Sequence, residues 1–287
     1  MADTIKTLLG KGINFLKKEE YNNPQLDAEL LLRHVLKVDK VYIYTHLNEE
    51  VDREDVDEFL DLVNKRNKGY PLQYIIGNQE FMGLNFNVGE GVLVPRPDTE
   101  ILVEKIIDMA KDIDKESIDI LDIGTGSGAI TLSLAYYIKN SNLYSIDISS
   151  EALEIARKNR DNLGLCDRVE FINTNILDGF NFLDKKIDII VSNPPYIPTI
   201  EIEKLQKEVS MYEPKLALDG GEDGLKFYRY ITKEGKNHLT DEGILAFEIG
   251  YDQGKEVYNI MRENGFIDIN IIKDLEDRDR VVIGRRG

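Results

Sequence analysis

Apolar residues recur three and four positions apart through residues 4–69, which is the period of an amphipathic helix. One helical segment begins at Asn23 and Pro24, a capping residue followed by a proline, which is a common helix start. The helical pattern stops at Gly69, shortly before another proline. We therefore predict a small helical bundle as the N-terminal domain, over residues 1–72.

The pattern changes over residues 73–95, which are rich in glycine, aromatic and β-branched residues, as is typical of a β-hairpin. Further along, short apolar runs of strand length alternate with helical segments, and this alternation predicts a mostly parallel sheet with helices on both faces. The last two runs, near 266–273 and 279–284, leave no room for a helix between them. We predict a hairpin linker over 73–95 and an α/β domain over 96–287, with an antiparallel strand at the sheet edge.

The charge balance disfavours some classes of partner. The chain of 287 residues carries 36 lysines and arginines against 53 aspartates and glutamates, a formal net charge of −17. Residues 76–287 hold 25 of the basic and 39 of the acidic side chains, so long-range attraction to nucleic acid or to an anionic membrane is weak there. No apolar run approaches the ~20 residues that span a bilayer, and no signal-peptide pattern opens the chain. We expect a cytoplasmic protein.

The cysteine and histidine content argues against a metal site. Cys166 is the single cysteine, which excludes an intrachain disulfide and a cysteine-rich metal site, and we expect it to be a small semi-buried residue. His34, His46 and His238 are dispersed and show no ligand spacing.

Three glycines lie between a strand-like run and a helical segment in ILDIGTGSGAI, residues 120–130. Gly124, Gly126 and Gly128 let the backbone turn tightly and approach a ligand, and the helix start offers free N–H groups to an anion. The next apolar run ends in Asp147, 19 residues after Gly128, where a carboxylate can accept hydrogen bonds from both hydroxyls of a ribose. The stretch predicts a nucleoside-cofactor site, and turn glycines without a ligand are the alternative.

The glycine spacing differs from the G-x-G-x-x-G of nicotinamide-binding folds, because the third glycine comes only two positions after Gly126. This spacing, with Asp122 two places before the first glycine, resembles motif I of S-adenosylmethionine-dependent methyltransferases. The resemblance implies that the glycine loop, including Thr125 and Ser127, holds the methionyl part of S-adenosylmethionine. It also implies that Asp147 binds the ribose.

The tetrapeptide NPPY, residues 193–196, follows the apolar run 187–192. Open α/β sheets bind ligands beyond the carboxyl ends of their strands, so we expect the tetrapeptide to meet the glycine loop in one crevice. Asn193 offers one carbonyl acceptor and two N–H donors, the two prolines stiffen the loop, and Tyr196 offers a flat face for stacking. The alternative is a strand-ending turn that packs the tyrosine into the core.

These groups fit a planar exocyclic nitrogen, the NH₂ of an amide or of a nucleobase. Its lone pair is delocalised, as in any amide, which makes the nitrogen a poor nucleophile. The side-chain oxygen of Asn193 and the carbonyl of Pro194 can accept its two N–H bonds and turn the lone pair toward a sulfonium methyl group, and such positioning needs no strong general base. We assign catalytic roles to Asn193, Pro194 and Tyr196, and target-amide contacts to these three and Pro195.

Further stretches make the chain similar to the HemK-type protein-glutamine methyltransferases that modify peptide chain release factors. They are PLQYIIGNQEF, VLVPRPDTE, YEPKLAL, EIG, QG and DRDR, in the family order from residue 71 to near the C-terminus. Motif I and NPPY are shared with many amino-methyltransferases, whereas PRPDTE together with YEPKLAL is far more specific. The resemblance implies a Rossmann-like methyltransferase domain after a helical bundle that docks the release factor. It further implies S-adenosylmethionine as cofactor and the glutamine of a Gly-Gly-Gln loop as target. From the acidic charge balance we expect no direct nucleic-acid target and no membrane partner.

The resemblance also assigns individual contacts. Asn193 maps onto a residue that touches both cofactor and substrate, and Thr99 in PRPDTE onto one near the methionyl end of the cofactor. Many members carry an acidic residue near the adenine after the third strand, whereas this chain reads NTNILDG. Asn175 can accept from the adenine amine or Ile176 can pack on the ring, and the sequence leaves both open.

Four other polar features lie near these motifs. Glu213 in YEP and Glu248 in EIG are either active-site carboxylates that stabilise the migrating positive charge or loop anchors, and we favour anchoring. We expect Arg96 to brace the linker against the methyltransferase domain. We expect EDRDR, residues 276–280, to form a solvated turn between edge strands.

Two other functions remain compatible with the sequence. One is methylation of an exocyclic amine in DNA or RNA, whose nitrogen is also planar with a delocalised lone pair. The acidic balance of residues 76–287 and the lack of a separable basic domain argue against this function. A binding protein that keeps the cofactor fold without turnover is the third hypothesis, and the intact NPPY argues against it.

Overall fold

The computed structural model describes residues 2–16 and 23–287, and residues 17–22 of the predicted bundle lie outside the described residues. The helices are α1 (Ile5–Phe15), α2 (Pro24–Leu36), α3 (Lys40–Thr45), α4 (Arg53–Asn67), α5 (Leu72–Ile76), α6 (Thr99–Ala110), α7 (Ala129–Tyr137), α8 (Ser150–Leu163), α9 (Lys207–Tyr212), α10 (Lys226–Gly235) and α11 (Gly254–Glu263). The strands are β1 (Asn78–Phe81), β2 (Leu84–Asn87), β3 (Ile118–Ile123), β4 (Ser141–Asp147), β5 (Val169–Asn173), β6 (Ile187–Ser192), β7 (Leu239–Glu248), β8 (Phe266–Lys273) and β9 (Asp279–Arg286). Within the described ranges, no helix is long and apolar enough to cross a membrane.

The chain divides into two compact units. One is Met1–Asn78 with Leu205–Tyr212, and the other is Gln79–Lys204 with Glu213–Gly287. The first unit therefore takes up a short segment that lies far along the chain.

The first unit holds the helical N-terminal region that the sequence predicts, with α1 to α5. Helix α2 begins as expected, because the side-chain oxygen of Asn23 accepts from the backbone N–H groups of Gln25 and Leu26, at 3.1 and 3.3 Å. The apolar stripes of the helices face inward, and Leu31 and Phe59 are fully buried. The 3.6-residue period thus correctly located this core.

The segment Leu205–Tyr212 packs into the first unit through a buried ionic group. Arg66 is 3% exposed and donates from Nε to Asp27 and from Nη1 to Glu208, both at 2.7 Å. A guanidinium is stable at such a buried position only when its charge and its N–H groups are paired. Glu208 supplies one of these partners.

The second unit is built around a seven-stranded sheet in the order β5-β4-β3-β6-β7-β9-β8. Strands β3 to β7 run parallel, and β9 pairs antiparallel with both β7 and β8. The predicted mostly parallel sheet with an antiparallel edge is confirmed. The strand order reverses between β3 and β6, and open α/β sheets bind their ligands beyond the carboxyl ends of the strands at such a point.

Helices cover both faces of this sheet, which explains why its central strands are apolar throughout. All 6 residues of β6 are buried. One face packs around Leu102 and Leu132, and the other packs around Tyr228 and Phe247. The sheet is therefore a rigid support for the loops at its carboxyl edge.

Strands β1 and β2 form a separate two-stranded sheet within the range predicted for a hairpin. The carboxamide of Asn159 in α8 joins it to the second unit, since Nδ2 donates to the carbonyl of Asn87 at 3.0 Å. Its Oδ1 accepts from the backbone N–H of Asn87 at 2.7 Å. The hairpin thus packs with the α/β unit.

One expectation from the sequence is wrong, and a second is confirmed only in part. Cys166 is exposed rather than semi-buried, and its thiol donates to the carboxylate of Asp161 at 3.2 Å. The run 276–280 is not entirely a solvated turn, because β9 begins at Asp279 and lies between β7 and β8. Arg280 is consequently inside the sheet and 8% exposed.

Candidate active site

A cavity of about 500 Å³ opens at the carboxyl edge of the sheet, a volume typical of a site for a small-molecule cofactor. Most of the predicted site residues line it: Thr99, Gly124, Thr125, Gly126, Ser127, Asp147, Asn175, Ile176, Asn193, Pro194 and Pro195. Among the described residues, the lining does not include Gly128 or Tyr196. The fold therefore brings the glycine loop, the acidic strand end and the start of NPPY into one crevice.

The glycine loop approaches the NPPY loop closely at Gly124. This residue has a φ of +92°, a region that favours glycine, and an added Cβ would lie 3.8 Å from the carbonyl oxygen of Asn193. The backbone N–H groups of Gly124 and Thr125 both donate to the carbonyl of Ile146, at 2.9 and 3.0 Å. The end of β4 thus fixes the turn.

A buried hydroxyl network supports the glycine loop from below. The carboxylate of Asp122 accepts from the hydroxyls of Thr131 and Ser145, and Ser145 also bonds to the hydroxyl of Thr125 at 2.7 Å. Burial raises the pKa of Asp122 to about 7, and the hydroxyl donors partly oppose this shift. The acidic residue of motif I therefore anchors the loop internally, since it is fully buried.

Gly128 serves helix packing. It caps α7 with a φ of +84°, and an added Cβ would meet Leu132 at 3.0 Å and Ala156 of α8 at 3.3 Å. The third glycine of the motif therefore permits the close approach of α7 and α8.

Asp147 ends β4 with its carboxylate at the cavity. Its Oδ2 accepts from the N–H of Gly126 and its Oδ1 accepts from the N–H of Ser149, both at 2.9 Å. Burial raises the pKa of this carboxyl, and the backbone donors lower it. Each carboxylate oxygen has a second lone pair, so both can still accept from a ligand hydroxyl.

Asn175 and Ile176 both line the cavity. The Asn175 side-chain oxygen accepts from the N–H of Leu177 at 3.0 Å, which caps a short 3₁₀ turn. Ile176 is 7% exposed and presents an apolar surface. The structure is therefore compatible with both alternatives, a hydrogen bond from the adenine amine to Asn175 and packing of Ile176 on the adenine ring.

Asn193 directly follows β6 and is tied to the neighbouring strand end. The hydroxyl of Ser192 donates to the carbonyl of Ile123 at 2.6 Å, which fastens the end of β6 to the end of β3. The Nδ2 of Asn193 donates to Oγ1 of Thr99 at 3.4 Å. This contact orients the carboxamide nitrogen toward Thr99, and Oδ1 is the atom left to accept from a ligand.

Tyr196 is held by its backbone. Its carbonyl accepts from Nε2 of Gln253 at 2.9 Å. An added Cβ at Gly224 would overlap that same carbonyl, and one at Gly220 would lie 2.8 Å from the Tyr196 Cα. The ring is partly buried against the apolar core, and burial raises the pKa of its hydroxyl. The structure thus gives the ring a packing role beside the cavity.

Gln253, Gly220 and Gly224 contact the Tyr196 backbone, and the sequence patterns did not identify them. They lie in the stretches LDGGEDGL, directly after YEPKLA, and EIGYDQG, which holds EIG and QG, and the resemblance assigned them no role. Gln253 is 8% exposed, and its Oε1 accepts from the N–H of Gly250 at 3.0 Å. Paired glycines in a polar loop were the only signal for a close backbone approach.

Arg96 and Glu213 form an ion pair at the rim of the cavity. Nη2 of Arg96 donates to both carboxylate oxygens of Glu213, at 2.7 and 2.9 Å, and Glu213 is 5% exposed. Pro214, the next residue, and Leu216, three positions after Glu213, line the cavity. This geometry favours the anchoring alternative for Glu213, and Arg96 braces this rim segment.

Two protein-family models match parts of the sequence. The family described as PrmC N-terminal domain matches residues 7–77, and the family described as Methyltransferase domain matches residues 114–265. A solved methyltransferase structure from Pyrococcus furiosus is similar in fold, with a TM-score of 0.51 at 21% identity, covering 72% of this chain and 90% of that chain.

Curated relatives match along almost the whole chain. A release factor glutamine methyltransferase of Clostridium acetobutylicum is 43% identical over 283 residues, which covers 99% of each chain. One from Fusobacterium nucleatum subsp. nucleatum is 44% identical over 282 residues, covering 97% of this chain and 78% of the relative. With this identity over nearly its full length, the chain belongs to the family of release factor glutamine methyltransferases.

Proposed function

We propose that this chain transfers a methyl group from S-adenosylmethionine to the side-chain amide nitrogen of a glutamine in the Gly-Gly-Gln motif of a peptide chain release factor. The observation that carries the proposal is the joint placement of Asn193 and Pro194 with the glycine loop around one cavity. Membership of the release factor glutamine methyltransferase family supports the choice of substrate.

The residues around the cavity fit S-adenosylmethionine. Asp147 offers two carboxylate oxygens to the ribose hydroxyls, and Gly124 and Gly126 of the glycine loop line the cavity without side chains. The cavity lining holds three acidic side chains, Asp147, Glu151 and Asp219, and two basic ones, Arg96 and Lys226, so it offers partners to both the cationic and the anionic groups of this cofactor. When bound, S-adenosylmethionine supplies an electrophilic methyl group on a sulfonium sulfur.

The carboxamide of Asn193 and the carbonyl of Pro194 bind the target amide. Oδ1 of Asn193 and the Pro194 carbonyl oxygen each accept one N–H of the glutamine side chain. This holds the amide nitrogen with its lone pair directed at the methyl group, which compensates for its weak nucleophilicity by positioning. Prolines 194 and 195 stiffen the loop, so the two acceptors keep their spacing.

The proton balance requires no buried base. The new N–C bond forms as the S–C bond breaks, and the nitrogen then carries a positive charge and an acidic proton. Loss of that proton to solvent restores the neutral, N-methylated amide. Asn193 and Pro194 serve throughout as acceptors of hydrogen bonds.

We assign release-factor docking to the helical bundle, residues 1–72. The support is the match of residues 7–77 to the PrmC N-terminal domain family. Removal of charge from exposed bundle residues is then expected to raise KM for the release factor and to leave the cofactor Kd unchanged.

The proposed function is tested by incubating the protein with isotopically labelled S-adenosylmethionine and three acceptors: a cognate release factor, the same factor with its Gly-Gly-Gln glutamine replaced by alanine, and total nucleic acid. Label is expected on the first acceptor alone. Equal labelling of both factors, or label on nucleic acid only, contradicts the proposal.

A further inference from the structure

Asn193 and Glu248 lie side by side at the carboxyl edge of the sheet. Strands β6 and β7 are parallel neighbours, and Ser192 at the end of β6 pairs in register with Phe247. The next residue on each strand is Asn193 and Glu248, respectively, and neighbouring strands lie about 4.8 Å apart. The two side chains therefore leave the sheet at the same level.

The carboxyl group of Glu248 is buried and incompletely paired. The residue is 2% exposed, and its Oε2 has no hydrogen-bond partner among the described residues. The neighbouring side chains of Thr99 and Asn193, as potential hydrogen-bond donors, lower the pKa of this carboxyl. Burying an acid with a missing partner costs stability, so a purely structural role explains this residue poorly.

Thr99 links the two groups in a definite direction. Its Oγ1 accepts from Nδ2 of Asn193, so its single O–H is free to donate to Glu248. The contact of Nδ2 with Thr99 identifies the nitrogen as the inward end of the Asn193 carboxamide. A carboxylate at position 248 keeps that end inward, because it can only accept.

Several titratable groups face Glu248 from the surrounding elements. Arg280 comes from β9, Asp98 from the residue before α6, Tyr196 from the NPPY loop and Tyr228 from α10. Arg280 is already shared, since its Nη2 contacts Asp98 and Asp274, each at 3.1 Å. Burial raises the pKa of Glu248 to about 7, with Thr99, Arg280 and Asn193 acting in the opposite direction.

We infer that Glu248 is a positioning residue, which holds the Asn193 carboxamide with Nδ2 inward and Oδ1 toward the target amide. Its catalytic consequence rests on the proposed function. A protonated Glu248 can donate to Oδ1 and stabilise the inverted carboxamide. The inverted group presents N–H to the N–H of the target, which is a repulsive arrangement, so turnover requires the ionised form.

The kinetic test compares Glu248→Gln with a matched control, Asp188→Asn. Asp188 is also a buried carboxylate, at the opposite end of β6, where it pairs with Lys115. In the wild type, kcat is expected to rise with pH through about 7, as Glu248 ionises. In Glu248→Gln, kcat is expected to fall about 10-fold to 100-fold, the range typical of residues that orient a ligand-binding group, and to lose this pH dependence. KM and cofactor Kd are expected to stay within about threefold, because Glu248 itself is not among the residues that line the cavity.

A second variant separates the loss of Asn193 orientation from a general loss of protein stability. Glu248→Asp keeps a titrating carboxylate, so it is expected to retain a pH-dependent kcat at a reduced value. Asp188→Asn is expected to keep the wild-type pH profile even if its melting temperature falls. Parallel loss of kcat and stability in Glu248→Gln and Asp188→Asn, with no change in either pH profile, overturns the inference.

A readout without substrate keeps the inference distinct from the proposed function. The side-chain ¹⁵N–¹H signals of Asn193 are expected to shift with pH in the wild type, with a midpoint near 7, and to lose this titration in Glu248→Gln. Asn193 signals that titrate identically in both proteins overturn the inference, whatever acceptor the enzyme methylates. A wild type that titrates as expected but fails to methylate release factor contradicts the proposed function alone.

Discussion

The two halves of the crevice are stabilised in different ways. The cofactor half is held by residues close together in sequence, since Asp122, Gly126 and Asp147 bond within a stretch that ends at Ser149. The amide-binding half at NPPY is held by residues that extend from Thr99 to Gln253 along the chain. Contacts between residues close in sequence form a recognisable sequence motif. Contacts between residues far apart in sequence can be identified only in the folded structure.

This difference separates the expected consequences of substitution. Changes in the cofactor half remove contacts to a ligand that stays bound through the reaction, so they are expected to raise the cofactor Kd. Changes around NPPY alter how the target nitrogen is presented, so they are expected to lower kcat. The four predictions below test that separation, from the largest effect to the smallest.

Asn193→Ala is expected to lower kcat about 10²-fold to 10³-fold, because it removes a preorganised acceptor of the target amide. The cofactor Kd, measured by calorimetry, is expected to stay within about threefold, since the glycine loop and Asp147 are unchanged. A large loss of cofactor affinity with kcat preserved would show that the two halves are not separable in this way.

Asp147→Ala is expected to raise the cofactor Kd about 10-fold to 100-fold, because hydrogen bonds to a charged group contribute about 1.5–3 kcal/mol. At saturating cofactor, kcat is expected to recover to within a few fold of the wild type. The matched control is Asp161→Asn, an exposed aspartate in α8 that lies outside the cavity lining. A cofactor Kd that is equal in both variants contradicts the assignment of Asp147.

Gly224→Ala is expected to destabilise the protein by about 1–3 kcal/mol more than Gly164→Ala does, because its new Cβ overlaps the Tyr196 carbonyl. Both glycines have positive φ, but nothing lies within 4 Å of a Cβ at Gly164. Gly224→Ala is also expected to lower kcat, since the NPPY backbone must shift. Thermal unfolding and steady-state rates of the two variants check this. Equal stability and equal kcat in the two variants would show that Gly224 does not support the NPPY backbone.

Arg96→Lys is expected to have the smallest effect, a loss of about 0.5–1 kcal/mol of stability, because the Arg96 side chain is 37% exposed and its pairing with Glu213 is partly screened. The rim segment with Pro214 and Leu216 then loosens, so KM for the release factor is expected to rise a few fold. The check is a double-mutant cycle with Glu213→Gln. Fully additive effects on KM would mean that the pair does not hold the rim.

The sequence predicted the parts of the site that directly follow strands. Asp147 and Asn193 each come after an apolar run, so the parallel sheet had to bring them to one edge. The roles of Gln253 and Arg280 could not be predicted, because they depend on which strands become neighbours. Arg280 looked like part of a solvated turn, and only the insertion of β9 between β7 and β8 buries it.

Tandem mass spectrometry of a release factor treated with the wild type or with Asn193→Ala tests the central claim most directly. The account predicts a single methyl group on the side-chain amide of the Gly-Gly-Gln glutamine with the wild type, and almost none with the variant at equal cofactor occupancy. A methyl group on any other atom, or equal methylation by the two proteins, would contradict it.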